Sequence, residues 1–214
     1  MHIAVLGAGA VGLSTAARLA VLGHDVIVID KDARRVASLC NGRLPFSEPG
    51  LEALLTAAEH AGQIEFGVDA AIGLKQAEAC FIAVSTPEKR GEPCLVHVRH
   101  AAEECARFAP RDCLVLVRSS LTVGTCEELA GLHERAFVAH PELSTRGYLA
   151  RKPQRLLAGT QQPAARQVIA EIYGGLLDEG VELSFCPSHE AELRSFADFR
   201  RAQKLEAEVL ARTA

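Results

Sequence analysis

The chain has 214 residues, a formal net charge of −4, hydrophobic residues at 49 % and no tryptophan. That length suits one large domain, and the apolar content suits a core of aliphatic side chains between helices and a sheet. Lysine and arginine are scattered among acids, which disfavours a nucleic-acid footprint or an anionic membrane surface.

No apolar run is long enough to span a bilayer, and Met1 leads directly into a strand pattern with no room for a signal peptide. The seven cysteines form no CxxC pair and suggest neither a zinc site nor a disulfide framework. The expectation is a reduced, cytoplasmic protein.

In chain order, the apolar run IAVL opens the pattern and is followed by a helical segment at residues 10–22. DVIVI comes next, then an amphipathic stretch at 50–60 and the runs ACFIAV, CLVLV, AFVAH and RLLAG. A second amphipathic stretch at 164–177 precedes VELSF. Buried-strand runs alternating with helix-period segments predict an α/β, Rossmann-like, doubly wound and mainly parallel sheet with helices on both faces. The chain closes on a long helix from about Ser188, read as its N-cap with Glu190 and Glu192 in the first turn. Leu193, Phe196, Phe199, Leu205 and Val209 form one apolar stripe along it. The expected organisation is a domain over residues 1–187 and a terminal helix over 188–214.

LGAGAVG places Gly7, Gly9 and Gly12 between the first strand and the first helix. In such a turn the first glycine permits the tight bend, the second lets backbone approach a pyrophosphate, and the third lets helix and strand pack closely. The pyrophosphate then rests on the helix N-terminus at Ala10 and Val11, where unpaired N–H groups favour an anion. Asp30 ends the next strand, where an acid accepts hydrogen bonds from an adenosine ribose and disfavours a 2′-phosphate. These residues indicate NAD, with Lys31, Arg34 and Arg35 near enough to soften the preference.

Four further stretches, LPFSEPGLE (44–52), AVSTP (83–87), VRSSLTVGT (117–125) and HPE (140–142), together with KPQR (152–155), resemble the UDP-glucose/GDP-mannose dehydrogenase family. The resemblance runs from Met1 to about residue 193. It implies a nucleotide-sugar dehydrogenase that transfers hydride from a CH–OH carbon to NAD, with a role in polysaccharide biosynthesis. It carries a cofactor contact to Thr86, places Arg35 beside Asp30 at the ribose, and gives Glu142 the task of activating water. Ser85 and Ser120 are cofactor-binding candidates from their places at strand ends.

SEPGLE also reads simply as Ser47 capping a helix with Pro49 in its first turn. Ser119 and Ser120 follow a strand end, where hydroxyls can hold nicotinamide or a catalytic water, and Ser120 is a candidate catalytic residue together with Glu142. His140 reads equally as a proton carrier near neutral pH or as a strand-end residue. His97 and His100 stand three apart on one helix face with no third ligand in view, and Cys126 reads as a packing residue.

Departures from the family pattern cluster on catalytic positions. Arg146 stands where a second carboxylate is expected, and Arg194 or Ser195 replaces an oxyanion-stabilising lysine. Asp198 replaces an asparagine. By resemblance, the last helix begins the helix joining the cofactor half to a sugar-nucleotide half, and the family's nucleophilic cysteine lies beyond these residues. Two readings follow. One is the NAD-binding half of a dehydrogenase acting on a nucleotide sugar or another small alcohol, not expected to complete the two-step oxidation to a uronate alone. The other is a catalytically inactive NAD-binding module with a regulatory or assembly role. In either, the terminal helix is a candidate surface for homo- or hetero-oligomerisation.

Overall fold

The computed structural model describes residues 1–141 and 153–213, with side chains through Lys204. The first unit is β1 (His2–Leu6), α1 (Ala10–Val21), β2 (Asp25–Ile29), α2 (Ala33–Cys40), α3 (Leu51–His60) and β3 (Ile64–Gly67). α4 (Ala70–Gly73) and β4 (Ala79–Ile82) return the chain to the other side of β1, and a small hairpin, β5 (Glu88–Lys89) and β6 (Glu92–Pro93), follows. Then come α5 (Val96–Phe108), β7 (Leu114–Val117), α6 (Thr125–His133) and β8 (Phe137–Ala139). The chain finishes with β9 (Arg155–Gly159), α7 (Pro163–Ile172), α8 (Gly174–Asp178), β10 (Glu182–Cys186) and α9 (Ser188–Thr213).

The main sheet has the order β10-β9-β8-β7-β4-β1-β2-β3 among the described residues. Neighbours from β3 to β8 pair in parallel, β9 pairs antiparallel to β8, and β10 runs parallel to β9. Because consecutive strand residues face opposite sides, β1 sends Ile3 and Val5 into one core and Ala4 and Leu6 into the other. The first core is closed by α1, α3 and α7, and the second by α4, α5 and α6, with Ala191 of α9 packed into it. This is the doubly wound arrangement expected from the alternating pattern.

β3 is an additional strand. IEFG is too short and too mixed to stand out by periodicity, and it pairs with β2 at the sheet edge. The segment 164–177 divides at Tyr173, where Gly174 and Gly175 follow and α8 restarts. Ser47 does not cap α3. The helix starts at Leu51, after a turn in which Glu48 C=O accepts from Leu51 N–H at 3.2 Å and Gly50 takes φ 82°, ψ −13°. Pro then Gly at the two central positions is the composition of a type II turn, so PG here builds the turn before the helix.

The start of α9 departs from the sequence reading in two ways. Ser188 is its first residue, and the preceding Pro187 C=O accepts from Glu190 N–H at 3.1 Å. Leu193 is exposed, while Ala191, Glu192, Ser195 and Phe199 are buried. The cause is close packing on β9. A Cβ at Gly159 would stand 2.7 Å from Cβ of Ala191, so the helix turns its small-residue side to the sheet and Leu193 outward.

Candidate functional site

Strand order reverses about β1: the chain winds outward through β2 and β3, then returns to β4 and β7 on the other side. Open α/β sheets bind ligands at such a switch point, beyond the carboxyl ends of the strands. A cavity of about 690 Å³ lies there, lined by Gly7, Gly9, Ala10 and Val11 after β1, Asp30 and Arg35 after β2, Ser85 and Thr86 after β4, and Ser120 after β7.

The glycine turn has strict spatial requirements. Gly7 has φ +107°, and a Cβ there would stand 2.6 Å from the Ala83 carbonyl oxygen. A Cβ at Gly12 would stand 1.8 Å from the carbonyl oxygen of Gly7, so only glycine lets α1 rest on the turn. Gly12 thus shapes the site from beneath. Gly9 has nothing within 4 Å of its Cβ position, which leaves its backbone open to the cavity. Gly9 also caps α1, with no side-chain cap hydrogen bond and no acid in the first turn, leaving that helix end suited to an anion.

Asp30 is tied into the same turn. Its Oδ2 accepts from Ala8 N–H at 2.8 Å and from Arg35 Nη1 at 2.8 Å, and its Oδ1 accepts from Asp32 N–H at 3.0 Å. Burial pushes its pKa upward, but the Asp32 and Ala8 N–H groups and the Arg35 guanidinium outweigh it and hold the carboxyl below its ordinary value. A carboxylate offers about four acceptor positions, so with three taken Asp30 keeps acceptor capacity for a hydroxyl in the cavity.

The two serines after β7 have different tasks. Ser119 is buried and its Oγ donates to Val84 C=O at 2.8 Å, locking the end of β7 to the end of β4. Its hydroxyl is therefore structural, whereas Ser120 is half-buried and lines the cavity. Ser85 is held from α5: His97 Nδ1 donates to Ser85 C=O at 2.9 Å. Both His97 and His100 line the cavity, and no metal-binding group of three or more histidine, cysteine or acidic residues occurs among the described residues.

His140 is no proton carrier at neutral pH. It is fully buried between Leu157 C=O, which accepts from Nδ1 at 2.6 Å, and the Tyr173 hydroxyl, which donates to Nε2 at 2.7 Å. Burial, with the nearby Arg118 charge, lowers its pKa to about 3 despite the Leu157 hydrogen bond. The cysteines stay away from the cavity lining. Cys80 and Cys105 meet at 3.4 Å in the core, and Cys126 lies beside Glu192, its thiol pushed well above the ordinary range by burial and that carboxylate.

Ser195 and Arg194 sit elsewhere than the cavity lining. Ser195 Oγ accepts from Leu121 N–H at 3.1 Å, and Arg194 Nε lies 3.4 Å from Asp198. Glu142 and Arg146 lie outside the described residues.

Several contributors were not anticipated from sequence. Val68 and Val96 are exposed large apolar residues on the cavity wall and, with Phe46 and the expected Val11, offer flat apolar surface for a ring. Val68 and Val96 carry no sequence signal. Phe46, an aromatic in the polar loop LPFSEP, did. Glu192 was read as a first-turn acid, but it is buried and accepts from Gly124 N–H at 2.7 Å and Cys126 N–H at 2.6 Å, capping α6.

Comparison with known proteins agrees with this geometry. The family model described as UDP-glucose/GDP-mannose dehydrogenase family, NAD binding domain, matches residues 1–177. A UDP-glucose 6-dehydrogenase of Pseudomonas aeruginosa is 34 % identical over 212 residues, covering 92 % of this chain and 47 % of that protein. Its Rhizobium meliloti counterpart is 31 % identical, with 92 % and 48 % covered.

Among solved structures, a UDP-glucose dehydrogenase from Pyrobaculum islandicum superposes with a TM-score of 0.82 at 29 % identity, covering 92 % of this chain and 48 % of that one. A GDP-mannose dehydrogenase from Pseudomonas aeruginosa shares the fold at a TM-score of 0.83, with 96 % and 51 % covered. The chain spans about half the length of the curated relatives it matches. The glycine turn, the acid after β2 and the family match over residues 1–177 together make this chain a member of the UDP-glucose/GDP-mannose dehydrogenase family, carrying that family's NAD-binding domain.

Proposed function

We propose that the chain binds NAD in the strand-end cavity and serves as the cofactor half of a nucleotide-sugar dehydrogenase. The observation that carries the reading is the convergence of Gly9, the uncapped start of α1, Asp30, Thr86 and Ser120 on one cavity at the switch point. In this reading the backbone at Gly9, Ala10 and Val11 holds the pyrophosphate, and Asp30, steadied by Arg35, accepts from the adenosine ribose. Ser85, Thr86 and Ser120 orient the nicotinamide end. Bound NAD supplies a hydride acceptor.

The substrate class is a CH–OH compound, foremost a nucleotide sugar. Glu142 is assigned to orient and deprotonate a water by its place in the HPE motif. The motif match favours a shared biosynthetic role with the UDP-glucose 6-dehydrogenases it resembles. Residues 188–214 are proposed as the start of a helix leading toward a substrate-binding half, with the exposed Leu193 as part of an oligomer contact.

A second reading, an NAD-binding module without chemistry, is favoured by one observation. Ser195 and Arg194 hold a backbone N–H and Asp198 and do not line the cavity. Calorimetric titration with NADH, on the intact chain and on Asp30→Ala, tests the cofactor site: saturable binding lost in the variant is expected. Absence of binding by the folded chain overturns it. NADH formation from NAD and UDP-glucose by the chain would overturn the module reading, since the module forms none.

A further inference from the structure

We propose that Glu104 is a specificity-determining residue, setting the preference for NAD over NADP by holding Lys31 against α5. The inference rests on the cavity being an NAD site, with the adenosine ribose on Asp30.

The two dinucleotides differ only by a phosphate on that ribose, so selectivity depends on which charges face the corner beside Asp30. Lys31 follows Asp30 in the chain and lines the cavity, as does Arg35. Both cations are already engaged. Arg35 Nη1 lies 2.8 Å from Asp30 and its Nη2 lies 4.0 Å from Asp32, partners supplied by the β2–α2 turn itself. Lys31 Nζ lies 3.6 Å from Glu104 Oε1, a partner supplied by α5 on the far wall.

Glu104 also lines the cavity, with its side chain only 19 % exposed, and the His100 imidazole lies 3.9 Å away on the same helix. Its charge is therefore less screened than that of a surface acid.

A 2′-phosphate entering this corner meets Asp30 and Glu104 as like charges and has to compete with Glu104 for Lys31. A free 2′-hydroxyl meets only acceptors it can satisfy. Discrimination of this kind works through repulsion of the wrong ligand as much as attraction of the right one. Without Glu104, the same corner presents Lys31 to the phosphate as an available cation.

The test is titration of NADH and NADPH into the full chain, in wild type, Glu104→Gln, Lys31→Gln and the double variant. Glu104→Gln is expected to lower the ratio of NADPH to NADH dissociation constants about tenfold, as removing one nearby like charge does at an effective dielectric between water and protein interior. Adding Lys31→Gln is expected to return most of that gain, because the freed lysine is its source. Lys31→Gln alone, at an exposed position, leaves Glu104 uncompensated and is expected to raise the ratio, so the charge argument stays testable should Glu104→Gln fail to fold. An unchanged ratio in folded Glu104→Gln, or a gain that survives loss of Lys31, overturns the assignment. Failure of the folded wild type to bind either dinucleotide is a different result, and it overturns the cofactor reading itself.

Discussion

Removing the Glu192 carboxylate tests whether a tertiary contact caps α6. The first turn of α6 begins after Gly124, at φ 91°, which has no side chain to bond the free N–H groups. Glu192 reaches across from α9 and takes two of them, at Gly124 and Cys126, while itself only 1 % exposed. A hydrogen bond to a charged group contributes roughly 1.5–3 kcal/mol, and an acid at a helix N-terminus adds about 0.3–1 kcal/mol.

Glu192→Ala leaves both donors buried without that partner, so the expected loss is about 3–5 kcal/mol out of a total of roughly 5–15. For a chain of this size that is a fall in Tm of about 10 °C. Glu192→Gln is expected to do nearly as badly, since its amide turns a donor toward one of the two N–H groups. Urea unfolding followed by circular dichroism gives the number, with exposed Glu190→Ala as the control, expected within about 0.5 kcal/mol of wild type. A Glu192→Ala variant within about 1 kcal/mol of wild type would refute the capping argument.

Gly12→Ala brings a Cβ to 1.8 Å from Gly7 O, so α1 has to move and NADH binding is expected to be lost with a drop in urea midpoint, both measurable on one preparation. His140 has its pKa lowered to about 3 by burial, so the unfolded chain takes up a proton first. Its contribution is complete above the unfolded value near 6.5 and is lost as pH falls from there toward 3, at up to about 1.4 kcal/mol per pH unit. Urea midpoints of wild type and His140→Phe across that window are expected to show the shallower pH slope in the variant, and equal slopes would count against a buried neutral imidazole. Ellman's reagent is expected to modify exposed Cys40 rapidly and the buried Cys80, Cys105, Cys113 and Cys126 only on unfolding, and fast modification of a buried thiol in the native protein would contradict the packing.

The motif residues were legible because backbone geometry near them is local. Gly7, Gly9 and Asp30 sit at a strand–turn–helix junction whose requirements are written within a few residues, so their positions around the cavity followed from the sequence. Ser47 failed for a related reason: Pro-Gly after it satisfies either a helix start or a type II turn, and the φ of +82° at Gly50 selects the turn. Leu193 shows the limit of periodicity. An apolar stripe was visible along α9, but the side that faces inward was chosen by the small contact between Ala191 and Gly159, which lie far apart in the chain.

By itself the sequence determined the alternation of strands and helices, the glycine turn and the acid after β2, since each depends on side-chain period or on conformations only certain residues adopt. Tertiary structure alone decided what distant polar groups do. It engaged Ser119 with Val84, Ser195 with Leu121, His140 with Tyr173 and Glu192 with α6, and it set Glu104 opposite Lys31. The physical reason is that a buried hydrogen-bonding group takes whichever partner the fold brings within about 3 Å, and neither residue type nor spacing names that partner.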